Sequence, residues 1–326
     1  MNTSLFKIDW ERASETFFIK DDELLALLAP FTQEPIQSCF LMGSGCANAN
    51  YKVIFRSGLT VLLRIYLRDQ FALSREIQIH QLVQDKIPIP KIHYTDSSFK
   101  NLAYPYAIME WVEGELMRDV IVKGSTTDIV ECAFSAGKLL NQLRHIPFQQ
   151  AGFFNPDLSI QPFSADHTLD ALFNLCCNEP IIAHYLGDSL LQALADYIKE
   201  HAFLLLDQTK ANLTHADFDP SNILVKKHND TYQIAALLDW EFALADSYLL
   251  DMGLFLRYSH RLPRIYQDSF IQGIEDKAES LPAHWQTRIK LKELICLLSL
   301  LYDNRHQTRP NMKKDVKRLL EDIVIV

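Results

Sequence analysis

The chain lacks any excess of positive charge: 32 Lys and Arg stand against 41 Asp and Glu, a net charge of -9. That balance leaves no basic footprint for nucleic acid, so a nucleic-acid partner is not expected. No uninterrupted apolar run reaches the roughly 20 residues that a membrane-spanning helix needs. The opening residues, Met1 to Trp10, hold no continuous apolar core of the signal-peptide kind. The cysteines, Cys39, Cys46, Cys132, Cys176, Cys177 and Cys296, follow neither metal-type spacing nor a redox CxxC. They read as buried free thiols. Internal repeats and low-complexity tracts are absent as well. A reduced, cytoplasmic enzyme without a membrane partner follows most simply.

What is present is the composition of an ordinary globular protein, 48% hydrophobic and 22% charged. A chain of 326 residues is long enough for two lobes, each with its own core. Asp21 to Leu28 reads as a short helix ended by Pro30. Tyr51–Phe55 and Thr60–Arg64 flank the turn residues Arg56-Ser57-Gly58 and predict a β-hairpin. Helical spacing returns from Leu73 to Gln84, Pro88-Ile89-Pro90 forces an extended connector, and Ala107–Trp111 predicts one more strand. Beyond that, the pattern is mainly helical except for hairpins around residues 213–239. The expectation is an α+β chain of two lobes, strand-rich over 1–113 and mainly helical over 114–326.

The most informative segment is His215-Ala216-Asp217-Phe218-Asp219-Pro220-Ser221-Asn222, followed by Leu237-Leu238-Asp239-Trp240-Glu241. Phosphoryl transfer asks for positioning and neutralised charge rather than covalent help. A carboxylate, Asp217, can orient the acceptor hydroxyl and take its proton. An amide oxygen on Asn222 and a second carboxylate on Asp239 can hold Mg2+ against nucleotide phosphates. Ile223–Val225 and Tyr232–Leu238 read as strands joined by the polar break His228-Asn229-Asp230, which would bring Asn222 and Asp239 to one end of a hairpin. Any one of these residues by itself is more often a turn cap. Three in order, with strands between them, outweigh that reading.

On the nucleotide side, Met42-Gly43-Ser44-Gly45-Cys46-Ala47-Asn48 lies between strand-like segments, where backbone N–H groups, Ser44 and Asn48 could cover phosphates. It is not a Walker loop, because no Gly-Lys-Ser/Thr follows. Arg64 ends the next strand as a candidate phosphate-gripping cation. Glu76 falls on the inward face of the following helix, where a carboxylate needs a cationic partner, and Arg64 is the natural one.

Together these residues resemble the aminoglycoside phosphotransferase and choline kinase-like superfamily, from about Phe40 to Tyr258 and weakly beyond. Its His-Gly-Asp-x-x-x-x-Asn pattern is matched by His215 to Asn222, and its Asp-Trp-Glu by Asp239-Trp240-Glu241. Ala245-Asp246 and Asp251-Met252-Gly253 match the elements that follow. The resemblance implies a bilobal protein kinase-like fold: a small antiparallel sheet lobe with one key helix, and a larger helical lobe. It implies transfer of phosphate from ATP or GTP to a hydroxylated small molecule, with His215 supporting the catalytic loop. Met109 to Gly114 resembles the interlobe hinge, so the Glu110 carbonyl and Val112 N–H would meet the nucleobase. Two departures stand out. Arg64 sits where many relatives carry Lys, which is not an equivalent cation, and Ala216 replaces a glycine. A protein kinase fits less well, since Asp-Trp-Glu replaces Asp-Phe-Gly and no Ala-Pro-Glu follows. A nucleotide-binding pseudokinase is the alternative.

Trp240, Asp246, Asp251 and His145 read as structural, the two aspartates as holders of backbone geometry. Asp219 suits either substrate or turn. Phe163–Asn178 and Ile289–Asp303, with Tyr302, Asp303 and Glu241, are candidate acceptor-lining stretches, but the pattern names neither the acceptor nor an oligomeric state.

Overall fold

The computed structural model describes residues 5–11, 17–42, 48–206, 210–275 and 280–325. Ser44 and the glycines beside it lie outside these residues. Helix α1 (Asp21–Leu28) begins with three acidic residues and buries Leu24, Leu27 and Leu28 on one face. Strands β1 (Ile36–Leu41), β2 (Asn48–Phe55) and β3 (Thr60–Tyr66) follow, then α2 (Ala72–Val83), β4 (Ile92–Asp96) and β5 (Tyr106–Glu110). They form one antiparallel sheet in the order β1-β2-β3-β5-β4. The β2–β3 turn closes at Gly58, whose φ of 92° suits a residue without Cβ.

The core of this sheet joins Leu24, Leu27 and Leu28 of α1 to Val53, Phe55, Val61, Leu63 and Ile108. Helix α2 ties the sheet to the rest of the molecule. Leu73 packs with Tyr66, Ala107 and Met109, whereas Ile79 and Val83 enter the large core. One amphipathic helix therefore serves both cores, and it carries Glu76 between them.

After the short strand β6 (Glu115–Leu116) come α3 (Met117–Lys123) and α4 (Thr126–Leu143), the latter begun by a Ser125–Asp128 capping box. Strands β7 (Pro147–Phe148), β8 (Gly152–Phe154) and β9 (Ile160–Pro162) lead to α5 (Leu169–Asn178), α6 (Pro180–Leu186) and α7 (Asp188–His201). Then come β10 (Ala211–Thr214), β11 (Ile223–His228), β12 (Thr231–Leu237) and β13 (Leu244–Asp246). Helices α8 (Leu249–Leu256), α9 (Arg264–Ile274), α10 (Trp285–Asp303) and α11 (Pro310–Val324) complete the chain. The bilobal α+β expectation is met, with one correction in the larger lobe. A five-stranded sheet, β7-β10-β13-β8-β9, accompanies the hairpin that was anticipated. Its strands of two to four residues are too short for alternation to register in sequence.

Strand β11 pairs with β12 from Ile223↔Leu237 to His228↔Thr231, and β6 lies on its other side. Among the described residues, no helix is long and apolar enough to cross a membrane.

Candidate active site

The hairpin register brings together the three residues expected to serve phosphoryl transfer, Asp217, Asn222 and Asp239. Ile223 opposite Leu237 leaves Asn222 and Asp239 just beyond the same end of the ladder, where Leu238 N–H donates to the Asn222 carbonyl at 2.8 Å. Asn222 then reaches back to the catalytic loop. Its Nδ2 donates to the Asp217 carbonyl at 2.9 Å and to Asp217 Oδ2 at 2.8 Å.

The loop is held by groups that sequence marked as structural. His215 donates from Nε2 to the Leu238 carbonyl at 2.8 Å, and Asp217 N–H lies 3.3 Å from Nδ1. That pair of partners fits a neutral ring with its proton on Nε2, and burial lowers its pKa from the usual value. With both nitrogens occupied, His215 has no free edge for shuttling a proton. Asp251 accepts the N–H groups of His215 and Ala216 at 2.7 and 2.8 Å. Burial pushes its carboxyl up to about 7 even against those two donors. Asp219 caps the turn into Asn222, its Oδ1 accepting from Ser221 N–H and Oγ–H at 2.9 and 2.6 Å. Ala216 has φ 60°, the left-handed region that glycine adopts freely, which explains the glycine of the resembled pattern. Asp239 shares that region at φ 66°.

Asp246 departs from expectation. Its side chain holds no backbone group but grips buried Lys292 at 2.7 and 2.8 Å. The Asp246 carbonyl, by contrast, accepts from Thr214 Oγ1 at 3.1 Å. Trp240 is 1% exposed, and its ring packs 4.7 Å from that of His215.

From the sheet side, Arg64 on β3 lies 3.7 Å from Glu76, so the pair inferred from sequence is formed. Arg64 also reaches across the cleft to ion-pair with Asp239, a contact the sequence gave no hint of. A guanidinium is long and forked enough to bridge two carboxylates. Burial alone would push the Glu76 carboxyl up, but Arg64, with His80 and Tyr66, holds it at about 2. Tyr66 Oη donates to Glu76 at 2.7 Å.

Asn48, at the start of β2, donates to Glu241 at 3.0 Å. Burial and the neighbouring Asp239 raise the Glu241 carboxyl to about 8. Glu110 closes β5, its N–H bonded to the Lys91 carbonyl at 2.8 Å and its Oε2 accepting from Lys91 N–H at 3.1 Å. Val112 lies just after it, outside helix and strand.

Sequence reasoning missed Lys7. Its ammonium is ion-paired with Asp217 Oδ1, although 210 residues separate them. Burial would raise the Asp217 carboxyl, but Lys7, with His215 and Asn222, holds it below the usual range. Nothing in Leu5-Phe6-Lys7-Ile8 marks such a role in sequence.

Among the described residues, no cluster of three His, Cys, Asp or Glu forms a ready-made metal cage. An acidic carboxylate and an amide at one hairpin end nevertheless suit Mg2+, which takes few protein oxygens and fills its shell from water and phosphate. Asp239 is 30% exposed toward solvent, so it is accessible to such an ion.

Comparison places this fold among known proteins. Residues 41–288 match the APH family model, described as the phosphotransferase enzyme family. A GDP complex of aminoglycoside 2'-phosphotransferase-IIIa shares the fold with TM-score 0.75 at 16% identity, covering 93% of this chain and 98% of that one. Aminoglycoside phosphotransferase APH(4)-Ia does so with TM-score 0.68 at 16% identity, over 94% and 99% of the two chains. A thermostable mutant of that enzyme, solved with ADP and hygromycin B, gives TM-score 0.66 at 17% identity over 92% and 97%. No curated protein matches the chain by sequence.

Proposed function

The chain belongs to the phosphotransferase enzyme family, and from that premise we propose that it transfers the terminal phosphoryl group of ATP or GTP to a hydroxyl of a small molecule. The observation that carries this reading is the convergence of Asp217, Asn222 and Asp239 at one hairpin end, on a backbone fixed by His215 and Asp251.

Asp217 orients the acceptor hydroxyl and takes its proton. The hydroxyl oxygen bonds to the terminal phosphorus as the bridging bond to the nucleoside diphosphate breaks. Asn222 and Asp239 would hold Mg2+, which neutralises phosphate charge when bound. Arg64, braced by Glu76, faces the phosphates, and Ser44 and Asn48 are assigned to covering them. The Glu110 carbonyl and Val112 N–H are assigned to the nucleobase edge. A depressed Asp217 pKa keeps the carboxylate ionised at neutral pH, the form that orienting a hydroxyl requires.

A second reading, nucleotide binding without transfer, draws on the two ion pairs that occupy the site, Arg64 with Asp239 and Lys7 with Asp217. Asp217→Asn separates the two. Magnesium-dependent transfer in the wild type should fall by about 10³-fold or more in the variant. Nucleotide affinity, measured by calorimetry, should stay within a few-fold of wild type. Undiminished turnover in the variant would remove Asp217 from its role, and nucleotide binding without turnover in the wild type would favour the second reading.

A further inference from the structure

Asp217 has both carboxylate oxygens engaged. Oδ2 takes Asn222 Nδ2 at 2.8 Å, and Oδ1 takes the Lys7 ammonium. With Oδ2 tied to Asn222, a hydroxyl that meets Asp217 at Oδ1 would meet Lys7 there.

The segment that carries Lys7 is firmly docked. Phe6 is 0% exposed, its ring edge-on to Tyr258 at 5.6 Å and tilted against Tyr266 at 6.5 Å. Trp10 Nε1 donates to Asp315 at 3.0 Å. The Glu11 carboxylate accepts the N–H groups of Asn311 and Met312 at 2.8 and 3.2 Å, where α11 begins. Arg309 donates to the Glu11 carbonyl at 2.7 and 3.0 Å. Phe6 and Lys7 hold φ of 53° and 60°, a conformation that persists in such residues only when the surroundings impose it. Lys7 is thus held in place beside Asp217, with 16% of its side chain still exposed.

We propose that Lys7 is a specificity-determining residue, selecting an acceptor that carries an anionic group, carboxylate or phosphate, beside the hydroxyl to be phosphorylated. This rests on the phosphotransferase reading. A hydroxyl arriving at Asp217 displaces the ammonium from its carboxylate, and a largely buried cation that loses its direct ion pair is costly. An acceptor with its own anion supplies the replacement. A neutral acceptor does not, and a polycation adds a like charge. Three other buried carboxylates are already matched: Asp246 with Lys292, Glu293 with Arg257 at 2.8 Å, and Asp315 with Trp10 and with Tyr258 at 2.6 Å. Asp219, within electrostatic reach of Lys7, is 1% exposed and lies beneath the surface.

The test compares wild type with Lys7→Met, Lys7→Glu and Lys7→Arg, with magnesium and ATP or GTP. Four acceptor sets are used: small hydroxy acids, sugar phosphates, neutral polyols, and the aminoglycosides kanamycin and hygromycin B. Product mass and nucleotide affinity are both read. The wild type should add one phosphate to a hydroxy acid or a sugar phosphate, the reacting set telling carboxylate from phosphate, and leave the aminoglycosides untouched. Lys7→Met and Lys7→Glu should lose roughly ten-fold or more in kcat/KM, chiefly through KM, and Lys7→Arg should restore most of it. Nucleotide affinity should not change. Aminoglycoside turnover by the wild type at a rate matching the anionic sets would overturn the proposal, as would unchanged kcat/KM in Lys7→Met. Weakened nucleotide binding in Lys7→Met would place the ammonium on the nucleotide and overturn it too. Silence in both anionic sets also overturns it; turnover of another set then leaves the phosphotransferase reading standing, whereas nucleotide binding without turnover of any set favours binding without transfer.

Discussion

Arg64 is ion-paired with two carboxylates, Glu76 and Asp239. Its pairing with Glu76 followed from one physical demand, that a carboxylate on the inward face of a helix needs a cation. Its second partner, Asp239, lies 175 residues away, and no local pattern encodes that distance. Asp217, Asn222 and Asp239 were legible because turn, strand and spacing are local properties. Lys7 was not, because its meaning comes only from where the strap docks. The Arg64–Glu76 pair also makes a pH-dependent prediction. The Glu76 carboxyl titrates at about 2 when folded, well below its ordinary value of 4.5. Its stabilisation is therefore fully present above about pH 4.5 and is lost as pH falls toward 2. Glu76→Gln leaves buried Arg64 with Asp239 alone and should cost about 3 kcal/mol at pH 7. Urea unfolding should show that gap constant from pH 7 to 5 and narrowing below 4.5. An equal gap at pH 3 would mean that the ionised carboxylate is not its source.

Elements with strong periodicity or firm punctuation were legible: α1, the β2–β3 hairpin, α2, and the β11–β12 hairpin that sets the site. Of the five short strands beside loop 215–222 only β10, which leads into His215, was legible; the other four gain their definition from neighbours brought from elsewhere in the chain. Helix pairing was equally hidden. Helices α4 and α9 cross with Gly137 against Gly273, and a Cβ on either would collide with the other helix's backbone, at Phe270 O or Phe134 O. Here glycine is required by closeness rather than by φ, and the helices accept its lower propensity in exchange for contact. Gly137→Ala cannot be absorbed by moving a side chain, so the helices must separate. We expect a loss of about 3 kcal/mol, at the upper end for overpacking. The same change at Gly273 should cost a similar amount, and the double variant should cost less than the sum, because one separation accommodates both methyl groups. Additive losses in denaturant titrations would argue against a shared contact.

For the whole molecule, the chain closes on itself around the cleft. The strap of residues 5–11 lies against the start of α11 and sets Lys7 on Asp217, so the two ends of the sequence pack together and one of them reaches the site that the middle builds. This closure couples stability to function, because the side chain that anchors the strap adjoins the one that meets Asp217. Phe6 is fully buried among Tyr258, Tyr266 and the large core. Removing its ring from a packed site costs about 3 kcal/mol when the cavity persists. The loss has a ceiling, however: once it exceeds the docking energy of the strap, the strap releases and the remaining core stays folded. Trp10, Glu11 and Arg309 hold the far side of the strap independently of Phe6, which raises that ceiling. Phe6→Ala should therefore lower global stability by about 3 kcal/mol, with cleavage by added protease near the N-terminus little faster than in the wild type. Adding Trp10→Phe, which removes the bond to Asp315, should tip the balance. The strap should then be cleaved rapidly, while the unfolding midpoint falls little further. Rapid cleavage in Phe6→Ala alone, with an unchanged midpoint, would show that Phe6 carries the docking by itself.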